Sequence, residues 1–536
     1  MDDEKRGIYM FEIKNPFSRK RYTLKQIFYK NFTRIVVPLL KKIPLMEDLE
    51  NRPKFVPQFI IQLRQMLEYW DDESWTNNNP KGVEVNLLSL YVSEYVPIED
   101  INKLNKGLKM VFKTFKPKRF NMNDISRIDD FCNKVSQSIH GERWSNFGLL
   151  EVDKGSDLSE FVKYIEVHAT HVASTIILEF IITPSQNYIN EIKKLVEKNI
   201  VSETVLTPTF KKFFSFWGSS SKLGSNIKKG LIEDLLLELK WRTLQEISKY
   251  FDMYFFKNKL VPPSIEVYRV TQTSCKYKYG ENENINEFWD SIGMGRSNIR
   301  EISKDGFWQL VANRGDSNLD SSIKILCNSE IPRKSGYQSL DFQIIYHVRE
   351  LSMNLLPILV MRDYALALSK QIGISQKKTF SSIKKENPKY KKLINIRYEL
   401  EQNLHLLKRF KNEKGEREFE RVKRDIMHCL NNFEPANPKF NEKRWAEIIV
   451  DNTRYLIDRT YSYSQNFSKI IDDTVKLLEI KTNNSLRKRT FWLTIITVIL
   501  SLIATSFAGI SLYLQLNQDT HDTVTKLVDT FKNFFF

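Results

Sequence analysis

The stretch FWLTIITVILSLIATSFAGISLYL, residues 491–514, decides how this chain is built. Its 24 positions carry no charged side chain. As a helix rising about 1.5 Å per residue, it is long enough for a hydrocarbon core of about 30 Å, with some tilt. Arg487, Lys488 and Arg489 stand just before it. The pattern predicts a single transmembrane helix over 490–515, preceded by a large polar region and followed by a short tail.

The flanking charges predict an orientation. Lys476, Lys481, Arg487, Lys488 and Arg489 precede the span, whereas only Lys526 and Lys532 follow it, among Asp519, Asp522 and Asp529. Lys and Arg near membrane ends favour the cytoplasmic side. That rule puts the N-terminal region in the cytoplasm of a single-pass cell-membrane protein. The tail, residues 516–536, spaces Val524, Leu527, Val528 and Phe531 as on a helix. It reads either as an amphipathic helix on the outer leaflet or as a frayed end with aromatic anchors.

Composition points to globular folding, since 41% of the 536 residues are hydrophobic and 12% aromatic. A net charge of +17 calls for a negative partner or a solvated surface. Anionic lipid of the inner leaflet is the favoured partner, with nucleic acid as the alternative. Cys132, Cys275, Cys327 and Cys429 form no CxxC pair, which argues against a disulfide scaffold or zinc knuckle. The N-terminus, MDDEKRGIYMF, has no apolar run of a secretory signal.

The polar region reads as α+β. Helical spacing appears over 23–37, 59–70 and 98–115, and strand-like runs over 85–96 and 173–182. The stretches LLSLYVSEYVPIEDINKLNKGLKMVF and STIILEFIITPSQNYINEIKKLV each give a strand, a proline and a helix. A divergent β–α repeat and chance similarity both account for this. The Ser- and Gly-rich segment 213–230 reads as a linker between an N-terminal α+β domain (1–212) and a second one (231–387). In the second, 231–256 and 344–372 are helical, with a break or kink at Pro357, and 265–270 and 322–327 are strands around a loop-rich stretch, 276–306.

Residues 388–489 form a helical hairpin and stalk. The first part is weak at Gly415 and closes in a turn, EPANPKFN (434–441). From Glu442 no Gly or Pro occurs until Gly509, giving one potential helix on the order of 100 Å long. Its stripe through Trp445, Ile449, Leu456, Tyr463, Phe467, Ile471 and Leu478 fits packing on neighbours or on copies of itself, as in a coiled coil. Asn483-Asn484 is a candidate break. LTIITVILSLIATSFAGI at the end of this helix resembles the stalk and first membrane helix of CorA-like magnesium transporters, over about 440–510. The resemblance implies an oligomeric stalk above a membrane bundle. The family's Gly-Met-Asn motif is absent, because Ser511-Leu512-Tyr513 follows Ala508-Gly509-Ile510, and the second membrane helix is missing. No ion-binding residue carries over.

No motif for a catalytic residue, cofactor or metal emerges. His168 and His171 lie in a strand-like stretch that puts them on opposite faces, and His428 and Cys429 diverge by about 100° on a helix. Neither GMGRSN (293–298) nor GSSSKLGSN (218–226) fits a phosphate loop. The span itself is more informative. Ser501, Thr505 and Gly509 are four apart, as are Ala504 and Ala508. Such small residues let membrane helices approach closely, which favours a homo-oligomer.

The leading reading is a membrane-anchored cytoplasmic sensor or scaffold without enzymatic activity. Its architecture is similar to that of bacterial anti-phage effectors, in which a cytoplasmic sensor is coupled to an oligomeric, membrane-perturbing segment. The alternatives are a degenerate CorA-like ion transport protein and a membrane-tethered enzyme without a recognisable motif.

Overall fold

The computed structural model describes residues 14, 16, 77–79, 81–119, 124–137, 143–172, 175–200, 203–208, 217–222, 224–271, 291–292, 299–312, 322–331, 339–383, 390–413, 415–436, 444–516 and 521–535. The helices expected over 23–37 and 59–70 lie outside them. In chain order the elements begin β1 (Val85–Pro97), α1 (Ile101–Thr114), β2 (Lys116–Arg119), α2 (Asp124–Gln137), β3 (Arg143–Glu151), β4 (Val162–Val172), β5 (Thr175–Pro184) and α3 (Gln186–Glu197). Next come β6 (Glu203–Pro208), β7 (Trp217–Lys222), α4 (Gly224–Ile247), α5 (Tyr254–Lys257), β8 (Ser264–Val270), β9 (Ile299–Ser303), β10 (Trp308–Ala312) and β11 (Ser322–Asn328). The C-terminal third is α6 (Leu340–Ile383), α7 (Tyr390–Glu413), α8 (Gly415–Cys429), β12 (Phe433–Pro435), α9 (Trp445–Leu516) and α10 (His521–Phe535).

Two compact units result, one from Met1–Ser369 with His405–Tyr461 and the other from Lys370–Leu404 with Ser462–Phe536. The first is built on a ten-stranded sheet in the order β12-β9-β10-β11-β8-β1-β5-β4-β3-β2. All neighbours are antiparallel except β11 and β8, which run parallel. Strands β6 and β7 pair separately.

Both faces of the sheet are covered, which is why the central strands are apolar almost without alternation. Every residue of β5 is buried except Thr183, which is half-buried. On one face Leu90, Val92, Ile165, Leu178 and Phe180 pack with α1, α2, α3 and α4 in a single core. The helices offer matching stripes, such as Leu104, Leu108 and Val111 in α1. Gly107 admits this packing, because a Cβ there would stand 2.6 Å from Phe251 Cδ1 and 2.7 Å from the Tyr250 carbonyl. The opposite face meets α6: Tyr91 Oη donates to the Ile345 carbonyl at 2.8 Å, and the Tyr95 and Tyr364 rings lie 5.3 Å apart.

The two strand–proline–helix stretches are β1–α1 and β5–α3, and their strands are direct antiparallel neighbours with Leu90 opposite Ile182. Ser185 caps α3, its hydroxyl accepting from Tyr188 N at 3.2 Å.

Several expectations need correction. No boundary separates 1–212 from 231–387: β8 lies between β1 and β11, so one sheet joins both segments. The expected linker 213–230 contains β7 and the first turns of α4 instead. Residues 388–489 are not a separate hairpin domain, since His405–Tyr461 belongs to the first unit. The loop-rich stretch holds β9, and the turn at 434–441 begins inside β12. Helix α6 runs through Pro357, and α9 runs through Asn483-Asn484, because from Trp445 to Ala508 no Gly or Pro gives the backbone a reason to stop.

In the second unit, the end of α6, the start of α7 and α9 pack together. Ile372, Leu393, Leu400, Phe467 and Ile471 are buried. Arg397 Nε donates to Asp472 Oδ1 at 2.9 Å, and Tyr463 Oη bonds to Gln376.

Candidate membrane segment and buried ion clusters

Helix α9 contains the whole stretch 491–514, and the most apolar window of the helix has none of its residues buried. It is long and apolar enough to cross a membrane. The segment Leu340–Ser381 of α6 is also long and apolar, but 72% of its window is buried, so it serves as a core helix. Arg487, Lys488 and Arg489 are exposed at the start of the apolar stretch. Ser501, Ala504, Thr505, Ala508 and Gly509 are exposed too, and a Cβ on Gly509 would meet nothing within 4 Å.

Hydroxyls in the span are turned inward to their own backbone. Thr494, Thr497, Thr505 and Ser506 each donate to the carbonyl four residues earlier, Thr505 to Ser501 at 2.8 Å. Such bonds would satisfy them in hydrocarbon and leave their methyl and methylene groups for packing. The tail is helical over His521–Phe535, but it does not lie apart from the span. It turns back so that the Phe531 and Phe507 rings stand 6.5 Å apart.

Three ion clusters lie inside the first unit. Between the sheet and α6, Glu166 accepts from Arg349 Nη2 at 2.6 Å and Asn146 Nδ2 at 2.7 Å, with His168 Nε2 at 3.0 Å. His168 Nδ1 lies 4.0 Å from Glu179 Oε2. Burial disfavours ionised Glu166, but His168, Arg349 and Asn146 together hold its carboxyl below the ordinary range. Burial pushes Glu179 the other way, against His168, Ser352 and Arg349. Two carboxylates driven apart in this way resemble an acid–base pair. His168 and Glu179 are buried, however, which keeps them from any substrate and makes the cluster a tie between β4, β5 and α6. His168 and His171 do fall on opposite faces of β4, and among the described residues no three ligands gather for a metal.

On the other face, Glu266 of β8 accepts from Lys324 at 2.6 Å, Ser322 at 2.6 Å and Tyr268 Oη at 3.2 Å, with Lys240 of α4 at 3.9 Å. The third cluster fixes the start of α9. Glu301 of β9 takes Arg444 Nε at 3.1 Å, Arg444 Nη2 at 2.7 Å and the Trp445 backbone N–H at 2.9 Å. A carboxylate at a helix N-terminus is doubly favoured, by the open N–H groups and by the dipole.

A cleft of about 210 Å³ borders Trp308, His347, Cys429, Asn431 and Phe433. Burial, with Glu350 nearby, pushes the Cys429 thiol up against the opposing pull of Asn354 Nδ2, 4.0 Å from its sulfur, which disfavours a thiolate there. Sequence reasoning picked out His168 with Glu166 nearby but missed this cleft and the other partners in the three clusters, because those come from distant segments.

Glu94 of β1 gives a pH-dependent prediction. Both its oxygens accept backbone N–H groups at the start of α5, Phe255 and Phe256, each at 2.9 Å. Burial nevertheless pushes its carboxyl up to about 8. The folded state keeps the proton while the unfolded chain loses it near 4.5, so stability is greatest below that value and falls as pH rises toward 8. The slope from this one group is at most about 1.4 kcal/mol per pH unit. Unfolding midpoints measured between pH 5 and 8 should fall for the natural chain and flatten in Glu94→Gln. An unchanged slope in the variant would assign the dependence elsewhere.

No family model, curated protein or solved structure matches this chain. The resemblance of 440–510 to CorA-like transporters therefore rests on those residues alone.

Proposed function

We propose that the chain is a membrane-tethered scaffold or sensor, with its sheet-bearing unit in the cytoplasm and one C-terminal span as its anchor. The carrying observation is the exposed apolar stretch of α9, placed directly after Arg487, Lys488 and Arg489. Apolar side chains exposed along a whole helix favour lipid, and the basic cluster favours the anionic leaflet. The ion clusters support a structural rather than catalytic interior, since their charged groups are buried and matched to one another.

The test is labelling of intact cells with a membrane-impermeant thiol reagent. A cysteine placed at Thr523 should react from outside, whereas one at Ser485 should react only after lysis. Reaction of the Ser485 variant in intact cells would reverse the orientation, and no reaction at Thr523 would remove the crossing.

A further inference from the structure

One face of α9 stays uncovered from the second unit into the apolar stretch. Along α9, Ser464, Phe467 and Ile471 are buried and Leu478 is half-buried. Beside that buried stripe, Ile470, Leu477 and Ile480 are exposed, Leu477 by 67% and Ile480 by 57%. Counting in sevens from Ile470 reaches Leu477, Asn484, Phe491, Val498, Thr505 and Leu512. The positions three further on are Asp473, Ile480, Arg487, Thr494, Ser501 and Ala508. Ala504 and Gly509 flank this double row, so all five small residues of the span share its face. The tail helix leaves the face open, since Val498, Ser501, Thr505, Ala508 and Leu512 are all exposed.

A repeat of seven with residues three and four apart is the spacing by which helices supercoil. Lipid can cover the row inside the bilayer but not above it, and a single protein partner that covers the whole row is a helix that continues from the stalk into the bilayer. Among the described residues, the other helix of that length and hydropathy is α6, which is mostly buried. A second α9 meets the requirement, and identical insertion makes it parallel and in register. The row from Ile470 to Leu512 is about 63 Å long, and a helix face is about 10 Å wide, so each chain would bury about 600 Å², the lower end for a stable complex. Asn484 supplies a polar position of the kind that fixes register in such seams. Arg487 falls on the row as well, at the headgroup level, where its long side chain can leave the seam for anionic lipid.

We propose that two copies of this chain associate through one continuous parallel seam on α9, running from Ile470 beside the membrane to Leu512 within it. The proposal rests on the membrane-tether reading and adds the surface, the partner and the register.

Single cysteines in the full chain, oxidised in native membranes, test it; the parent chain with its own cysteines sets the background. Leu477→Cys and Ala508→Cys lie on the seam, whereas Glu479→Cys and Ile503→Cys are their exposed neighbours off it. Copies in register bring seam cysteines within disulfide reach, so covalent dimer should exceed that of the off-seam pair by about five-fold or more. Equal yields at Leu477 and Glu479 would overturn the seam. Cross-linking at Ala508 without Leu477 would overturn its continuity. Carbonate extraction of the same membranes separates the two readings: a chain that washes off refutes the tether, while a chain that stays but does not cross-link refutes the seam alone.

Discussion

Glu266→Ala is expected to lower the stability of the sheet-bearing unit by about 3–5 kcal/mol. Glu266 is 2% exposed, and Lys240 on the facing helix is also 2% exposed. Removing the carboxylate leaves Lys240 and Lys324 facing each other across an apolar core, with Ser322 and Tyr268 losing their acceptor. The loss is the cost of buried charge without its counter-ion rather than the net worth of the pair. A triple replacement, Glu266→Met with Lys240→Met and Lys324→Met, should therefore recover much of it. The measurement is denaturant unfolding of the detergent-solubilised chain. A single-variant loss under about 1 kcal/mol would mean that water reaches both lysines.

Ile499→Arg combined with Ile503→Arg should release the chain from the membrane. The Ile, Leu, Val and Phe side chains of 491–514 favour insertion by a sum on the order of 5 kcal/mol, and each central Arg opposes it by about 2.5–3.5 kcal/mol. Two of them, one turn apart on the same face, cancel the driving force. Conservative exchange of both residues for Leu should change nothing. Fractionation after carbonate treatment reads the result, and a doubly charged variant that stays in the pellet would show that another part of the chain holds the membrane.

What was legible in the sequence is what local pattern encodes. The apolar stretch 491–514, the unbroken helix before it, and strands such as Ser264–Val270 follow from hydropathy, period and the absence of breakers. The units β1–α1 and β5–α3 were legible because a proline or a Ser cap punctuates each switch of period. Sheet order was not, since β8 pairs with β1 and β11 through contacts no local window contains. Strand β7, WGSSSK, lacks apolar alternation, and it reads as a linker until its partner β6 is known. The ion clusters were hidden for the same reason. Glu301 and Arg444 are 143 residues apart, and each alone looks like a surface charge.

The ends of the large sheet bear on how such a protein behaves when many copies share a bilayer. One edge strand is β2, Lys-Pro-Lys-Arg, and the other is β12, Phe-Glu-Pro. Both are short, each contains a proline that offers no N–H, and the first repels its own likeness through three cations. Edges of this kind resist strand-to-strand growth. Confinement to a surface raises local concentration and would otherwise reward open-ended sheet polymerisation. With both margins blunted, crowding gives copies little opportunity for amyloid-like accretion through the sheet.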